Sequence, residues 1–247
     1  MDAAAWHLLP SLWLALPVLG IVFAASVVQF GLGMGFGMVA APLLAVLDPE
    51  LVPVPTLILG LATATLAALR ERQAIRWGEV WTGVAGRAVG AALAALILVR
   101  LADRDTFGLV FGLMIGLALA MSVAGVRLPF TRAGLVSLSA LSGLMGTITS
   151  VGAPPMAIIY QDRPGAEARP TLSAFFAIGC VLSLAGLWAA GWLGWREVML
   201  AALMVPGMLA GYAVSGRLRG RFDRRYRGAL LTVSGLAACI LVLRGLA

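Results

Sequence analysis

The stretch GLGMGFGMVAAP at residues 31–42 and its counterpart GLMGTITSVGAPP at residues 143–155 decide how this chain folds. Each lies inside a longer apolar region, residues 11–47 and residues 133–159, that would otherwise be predicted as continuous helix. Glycine at this density weakens a helix, and proline breaks one because it lacks the backbone N–H and clashes with the preceding turn. We therefore expect each region to consist of two helical pieces joined by a break.

The composition around the two breaks is that of a membrane protein. Hydrophobic residues make up 61% of the 247 positions and charged residues 12%, which is too few polar groups for the surface of a soluble domain. We expect one transmembrane domain over residues 1–247, and because the opening MDAAAWH has no basic residue, we expect no cleaved signal. Six uninterrupted apolar runs approach the roughly 20 residues that cross a bilayer: residues 54–69, 80–99, 107–126, 172–188, 198–215 and 228–243.

The two halves of the sequence repeat each other. A shift of 115 to 121 positions superimposes many glycines, prolines and threonines. The matched pairs include Gly31 with Gly146, Gly37 with Gly152, Thr56 with Thr171, Glu79 with Glu197, and Gly86 with Gly207. An offset that drifts by so little indicates an internal duplication. Repeat one spans about residues 11–126 and repeat two about residues 131–245, each a broken segment followed by three uninterrupted spans.

The 18 basic residues are all arginines, and their distribution distinguishes two topologies. If every segment crosses the membrane, the arginines outside the hydrocarbon divide 7 to 10, whereas they divide 13 to 4 if each broken segment dips in and returns. Cytoplasmic loops carry the excess of arginine, so the second topology is favoured. The larger group is Arg70, Arg72, Arg76, Arg127, Arg132, Arg163, Arg169, Arg217, Arg219, Arg221, Arg224, Arg225 and Arg227, and the smaller is Arg100, Arg104, Arg196 and Arg244.

Three crossings in each repeat would turn the second repeat upside down relative to the first. The expected fold is therefore an all-α integral membrane protein of two inverted repeats, each a broken re-entrant hairpin segment plus three transmembrane helices. Both termini would lie outside the cytoplasm, and the two Gly-rich tips would meet near the midplane. Paired interrupted segments of this kind are typical of a transporter site, since irregular backbone at membrane depth needs a protein or water covering.

The polar residues exclude several function classes. The eleven acids fall at segment ends or in loops, and the single histidine, His7, precedes the first segment. A cation pathway or proton relay usually shows an intramembrane Asp, Glu or His, and no catalytic set or metal cluster is apparent. Cys180 and Cys239 are interpreted as small apolar packing residues. We expect no enzyme, no metal and no cofactor, and the arginines fit lipid headgroups better than nucleic acid.

The remaining polar groups suit an anion. Backbone amides freed at the breaks, hydroxyl groups, one carboxamide and one guanidinium are all donors, and helix N-termini after the breaks add partial positive charge. The candidate substrate-binding residues are Gln29, Gly31, Gly33, Gly35, Gly37, Thr56, Arg87, Gly146, Thr147, Thr149, Ser150, Gly152, Pro154 and Thr171. Each glycine cluster has a second interpretation as a surface for close helix packing, which we prefer for Gly86, Gly90, Gly112 and Gly116.

Arg87 also has two interpretations. It lies about eight residues inside its predicted span, which is roughly 12 Å at the rise of an α-helix. Its guanidinium could face a watery cavity and meet the anion, or it could reach back to the cytoplasmic interface with its long apolar stem. The sequence leaves both open.

At the two breaks the sequence resembles the sulfite exporter TauE/SafE family of bacterial membrane permeases. The matching features are the glycine run and following proline in GLGMGFGMVAAP and GLMGTITSVGAPP, and the two-repeat hydropathy extends the likeness over nearly the whole chain. The second run departs from the pattern at Thr149, Ser150 and Ala153, where more glycines are expected. The resemblance implies a bacterial inner-membrane location, where the arginine distribution places both termini in the periplasm, and a small anionic substrate, such as sulfite, sulfoacetate or another organosulfonate.

We therefore expect export or exchange of a small sulfur-containing anion by alternating access around the two tips. A negative interior favours outward anion flux by about 2.3 kcal/mol per charge per 100 mV, so export needs no coupling ion. The expected partners are the anion and the lipid bilayer, and a homo-oligomer is compatible with the sequence. The alternative is a non-transporting membrane protein, such as an assembly factor whose glycine-lined helices bind other helices.

Overall fold

The computed structural model describes residues 12–100, 104–124 and 126–218, and these ranges contain helices and no β-strand. Nine α-helices lie in this part of the chain: α1 Leu12–Leu32, α2 Phe36–Leu47, α3 Val54–Arg70, α4 Trp77–Arg100, α5 Arg104–Val123, α6 Arg132–Thr149, α7 Ala153–Tyr160, α8 Gly165–Ala189 and α9 Trp195–Leu218. Two short 3-10 turns, Pro49–Leu51 and Arg72–Ala74, lie before and after α3.

Five helical segments are long and apolar enough to cross a bilayer. They are Leu14–Leu32, Pro49–Arg70, Trp77–Arg100, Gly165–Ala189 and Trp195–Ser215, with Phe36–Leu47 and Thr106–Ser122 as shorter apolar helices. Five of the six uninterrupted spans predicted from the sequence therefore fall on α3, α4, α5, α8 and α9. The sixth, at residues 228–243, lies outside the described residues, as do both chain termini and Cys239.

The first predicted break is present between α1 and α2. Gly33 and Gly35 have φ values of +75° and +106°, which side-chain-bearing residues rarely adopt. The carboxamide of Gln29 bridges the gap: its Oε1 accepts the amide of Phe36 at 3.1 Å, and its Nε2 donates to the carbonyl of Gly33 at 3.2 Å. One buried side chain thus satisfies a donor and an acceptor that the interrupted helix leaves open.

The second predicted break is present between α6 and α7. Ser150 takes a left-handed φ of 64° at the end of α6. The Thr149 hydroxyl donates to the carbonyl of Met145 at 2.7 Å and accepts the amide of Val151 at 3.1 Å. Pro154 lies in the first turn of α7, where the missing N–H has no helical partner to lose.

Close helix packing surrounds both breaks. α4 packs along α6, α3 packs along α8, and α1 packs along α2 and α9. A side chain at Gly86 or Gly90 of α4 would collide with the backbone of α6. The interpretation of these two glycines as packing residues is confirmed, whereas no atom of another described helix lies within 4 Å of a Cβ atom placed on Gly116.

Ring contacts fix the direction of the second broken pair. Phe130, just before α6, meets Tyr160 at the end of α7 with ring centroids 5.2 Å apart. The side-chain amide of Gln161 also donates to the carbonyl of Val126 at 3.3 Å. α7 therefore runs back toward the end of the bundle at which α6 begins.

The first broken pair has its ends at the other end of the bundle. α1 runs parallel to α9, because Gly207 lies beside Leu19 while Gly211, one turn later, lies beside Phe23. The start of α9 is joined through an ion pair of Arg196 to the turn that follows α2. The start of α1 and the end of α2 therefore lie toward the same end of the bundle, where α9 begins.

Ion pairs mark the two ends of the bundle. One end, here called the arginine-rich end, holds the pairs Arg76–Glu167, Arg163–Glu79 and Arg169–Glu71. These pairs connect the region between α3 and α4 to the region between α7 and α8. At the opposite end, Arg196 pairs with Glu50. The acids of all four pairs lie at helix ends or in connecting turns, as the sequence predicted.

Candidate functional site

A small cavity, here called the central cavity, lies where the two breaks meet. Its volume is about 40 Å³, and since one water needs about 10–15 Å³, it could hold a few waters or one small anion. Seven of the fourteen predicted site residues line it: Gln29, Gly35, Gly37, Thr56, Arg87, Ser150 and Gly152. The remaining lining comes from Phe36, Met38, Leu57, Gly60, Ala64, Ala153, Phe176 and Cys180.

Glycine allows the two breaks to touch. A Cβ atom on Gly37, in the first turn of α2, would overlap the carbonyl oxygen of Ser150 in the second break. The hydroxyl of Ser150 in turn donates to the carbonyl of Pro53, just before α3, at 3.0 Å. The second break is therefore fixed against both the first break and the start of α3.

Arg87 forms one wall of the central cavity from the middle of α4. Only 1% of its surface is exposed. Its Nη1 donates to the hydroxyl of Ser142 at 2.8 Å and to the carbonyl of the same residue at 3.2 Å, and that hydroxyl donates to the carbonyl of Gly152 at 2.6 Å. The guanidinium carbon lies 5.3 Å and 5.4 Å from the ring centroids of Phe175 and Phe176, close enough for a cation–π attraction.

The charge of Arg87 has no matching acid in the described part of the chain. No carboxylate oxygen there lies within 4.0 Å of the guanidinium, and its Nε has no hydrogen-bond partner. Buried charges in proteins are normally paired, because losing hydration is costly. The guanidinium stays inside the bundle and does not reach an interface, so of the two interpretations of Arg87 the structure favours the cavity.

Two further predicted glycines lie around this guanidinium. A Cβ atom on Gly146 would lie 3.1 Å from Nη2 of Arg87, and one on Gly152 would lie 3.0 Å from its Nη1. Both contacts are tighter than ordinary van der Waals packing. The glycines of the second break thus leave the space that the arginine head occupies.

The predicted threonine hydroxyls are held by neighbouring protein groups. Thr147 shares a 2.8 Å hydrogen bond with Ser183, and Thr149 bonds its own helix as described above. Thr171 donates to the carbonyl of Glu167 at 2.8 Å. These three threonines do not line the central cavity. Thr56 does, although its hydroxyl donates to the carbonyl of Leu51 at 2.8 Å.

Two of the other predicted residues, Gly31 and Pro154, line a second and larger space of about 450 Å³, here called the vestibule. Arg163 and Arg169 also line it, and no acid among the described residues does, so the vestibule opens among the basic groups of the arginine-rich end. Gly33 lines neither space and lies against α8 beside Arg169.

A comparison with known protein families shows which kind of protein this chain is. The model of the sulfite exporter TauE/SafE family matches residues 18–241, nearly the whole chain. The chain belongs to the sulfite exporter TauE/SafE family. It is therefore a multi-pass membrane transporter of the sulfite-exporter type with a small anionic substrate, and it is not an enzyme. No curated protein and no solved structure matches it.

Sequence reasoning missed two residues that hold the arginine of this TauE/SafE member. Ser142 anchors the guanidinium, and Gly179 of α8 gives it room, because any side chain there would overlap the Arg87 Nε. Comparing the two repeats could not reveal Ser142 and Gly179, because the second repeat has no arginine that matches Arg87. The offset that pairs Gly86 with Gly207 places Met208 opposite Arg87. The available signal was the polar spacing of Ser139 and Ser142, which puts two hydroxyls on one face of α6.

Proposed function

We propose that this protein exports a small sulfur-containing anion, such as sulfite or an organosulfonate, by alternating access around the two Gly-rich breaks. The observation that carries the proposal is the fully buried guanidinium of Arg87, which has no carboxylate partner among the described residues and lies in the wall of the central cavity. An arriving anion would supply the missing negative charge at the place where the charge is least hydrated.

The proposed architecture is a pair of inverted repeats, each with a re-entrant broken segment and three crossings. The ring contact between Phe130 and Tyr160 supports it, because both ends of the α6–α7 pair then lie at the arginine-rich end. The opposite placement of the α1–α2 pair is the inverted counterpart. Positive-inside asymmetry makes the arginine-rich end cytoplasmic, which would leave both termini in the periplasm of the inner membrane.

The proposed ligands of the anion are the donors that face the central cavity. Arg87 supplies the charge, Gln29 has a second carboxamide hydrogen beyond the one bonded to Gly33, and Gly35, Gly37 and Gly152 line the same space. Ser150 also lines it, but would first have to release the carbonyl of Pro53. Charge-assisted hydrogen bonds of this kind contribute about 1.5–3 kcal/mol each. Thr147, Thr149 and Thr171 would act by holding the breaks and the start of α8 in place.

Alternating access would use the reciprocal contacts of the two broken pairs. Ser150 of the second break bonds the residue before α3 in repeat one, and Gly33 of the first break lies against α8 in repeat two. Releasing one contact while keeping the other would open the central cavity to one face at a time. An outward anion flux would be favoured by the membrane potential without a coupling ion.

The experiment that tests this function is flux into proteoliposomes for a panel of sulfite, sulfoacetate and other sulfonates. Purified wild-type protein should carry at least one of these anions faster than empty liposomes, and Arg87→Gln should lose that flux. Arg72→Gln, which removes an exposed arginine outside the cavities described above, is the matched control and should behave as wild type. No flux of any panel anion by folded wild-type protein would favour a non-transporting membrane partner instead.

A further inference from the structure

The central cavity and the vestibule are neighbouring spaces that share no lining residue. Their linings adjoin along three segments. Met34 lines the vestibule and Gly35 the central cavity, Pro154 lines the vestibule and Ala153 the central cavity, and on α8 Leu172 lines the vestibule and Phe176, one turn later, the central cavity. The first break, the start of α7 and α8 therefore form the boundary between the two spaces.

Residues 33–35, here called the tip, form the part of this boundary where α1 gives way to α2. Gly33 lies so close to α8 that a Cβ atom would overlap the carbonyl oxygen of Arg169. The hydroxyl of Ser173 on α8 lies 3.3 Å from the carbonyl oxygen of Gly33 and shares its hydrogen with the closer carbonyl of Arg169, at 2.8 Å. Backbone contact, this weak shared hydrogen bond and the packing of Met34 therefore hold the tip against α8.

The side chain of Arg169 extends this contact to a third element. Its Nε and Nη2 donate to the two carboxylate oxygens of Glu71 at 2.8 Å and 2.7 Å, a bidentate pair. Glu71 follows the last residue of α3, so the pair fixes the start of α8 to the end of α3. The position of α8 under the tip is thus set by a charged contact that remains partly exposed to solvent.

The opposite side of the central cavity is closed by more extensive packing. There the hydroxyl of Ser150 holds Pro53, and an apolar cluster lies behind it. Its fully buried members include Val54, Leu57, Ala94, Leu98, Ile148 and Leu187. Opening that side would require a whole cluster to separate, whereas opening toward the vestibule requires the tip to leave α8 and its one partly buried apolar side chain, Met34, to leave the neighbouring apolar cluster.

We propose that the tip is the gate between the vestibule and the central cavity, and that the Arg169–Glu71 pair is its latch. Arg169 is then a positioning residue: it acts by holding α8 against the tip. Ion pairs of this exposure are weak, which suits a contact that must open and close on every cycle. The inference rests on the proposed function in one respect, because it takes the central cavity to be the anion-binding site.

Cys180 offers a direct readout of this gate, because its thiol lies in the wall of the central cavity. The probe is methyl methanethiosulfonate. Because this reagent is small and uncharged, a change of charge in the vestibule does not attract or repel it. The reaction rate is measured by mass spectrometry on detergent-solubilised full-length protein that carries Cys239→Ser. Labelling after denaturation gives the reference for a fully accessible thiol.

Three variants test the latch and the tip. Arg169→Gln and Glu71→Gln each remove the ion pair, and Gly33→Ala keeps both charges but forces a methyl group against the backbone and Cγ of Arg169. Each should raise the rate of Cys180 labelling about three- to fivefold, the effect expected from losing an ion pair or a contact of this strength. The reversed pair Arg169→Glu with Glu71→Arg should return the rate to within about twofold of wild type.

Arg196→Gln is the matched control. It removes the Arg196–Glu50 pair at the opposite end of the bundle, which involves neither α8 nor the tip, and it should leave the rate unchanged. Rates in Arg169→Gln, Glu71→Gln and Gly33→Ala equal to that of the control would overturn the gate. This outcome is distinct from a failure of the proposed function, because thiol labelling requires no transported anion.

Discussion

At the scale of single residues, Arg87 combines two properties that rarely occur together. It is fully buried, and the described residues place no carboxylate within 4.0 Å of it. Its partners are neutral: Ser142, which holds one nitrogen, and the rings of Phe175 and Phe176. Neutral partners keep the arginine in place without cancelling its charge, which leaves that charge available to an anion.

The first prediction concerns the chemistry of this charge. Arg87→Gln should lower anion flux at least about tenfold, since hydrogen bonds to charged groups contribute about 1.5–3 kcal/mol. Arg87→Lys should restore part of the flux, because lysine keeps the charge but lacks the planar fork. Initial rates in proteoliposomes, normalised to reconstituted protein, measure the effect. Full activity of Arg87→Gln would remove Arg87 from the site.

The second prediction concerns the space around Arg87. Gly179→Ala keeps every charge of the protein but would place a methyl group over the Nε of Arg87, so the guanidinium must shift and flux should fall several-fold. Gly116→Ala is the matched control, since that helical glycine faces open space. Equal flux in the two variants would show that the position of the guanidinium does not matter.

The residues of the site were only partly predictable. Glycines and Arg87 were found because a glycine cluster inside an apolar region and a charge inside a span are both unusual in a sequence. The threonines were harder to assign, because a hydroxyl on a helix can bond its own backbone, as Thr149 does to Met145. Ser142 and Gly179 act through contacts between distant helices, which no local pattern reveals.

At the scale of helices, the two breaks are built by different means. The first depends on Gln29, whose carboxamide serves both Phe36 and Gly33, while the second depends on Thr149 and on the bond from Ser142 to Gly152. The sequence predicted both breaks, because glycine and proline disfavour continuous helix whatever surrounds them. It did not predict these supporting bonds, which differ between the repeats.

The third prediction tests the support of the first break. Gln29→Ala leaves the buried amide of Phe36 without its side-chain acceptor, which costs about 1–3 kcal/mol, and leaves the carbonyl of Gly33 with only the weak contact from Ser173. The melting temperature in detergent should fall, and flux should fall with it. Gln73→Ala, an exposed change between α3 and α4, should alter neither. An unchanged melting temperature in Gln29→Ala would contradict this role.

At the scale of the whole molecule, each half of the described chain contains one broken helix, but the two halves differ in chemistry. The shift that superimposes Gly86 on Gly207 sets Arg87 against Met208, so one repeat alone supplies the cavity charge. The duplication predicted where the breaks would lie. It could not predict that only one half carries the charge, because matching the two halves identifies the residues that they share and not those that differ.

The fourth prediction concerns topology. The arginine-rich end is proposed to be cytoplasmic, so the chain terminus after Ala247 should be periplasmic. A reporter that is active only in the cytoplasm should stay silent when fused there, and one that is active only in the periplasm should report. The reverse pair of results would contradict the re-entrant arrangement of the broken segments.

The central claim is that an anion occupies the cavity between the two breaks, beside Arg87. Protection of Cys180 tests it most directly, because this thiol lines the same cavity. The rate of modification by methyl methanethiosulfonate is measured with and without saturating sulfoacetate, in wild-type protein and in Arg87→Gln. The account predicts that sulfoacetate slows the reaction in wild type and has no effect in Arg87→Gln. If no anion of the sulfonate panel changes the wild-type rate, the cavity is not where the anion binds.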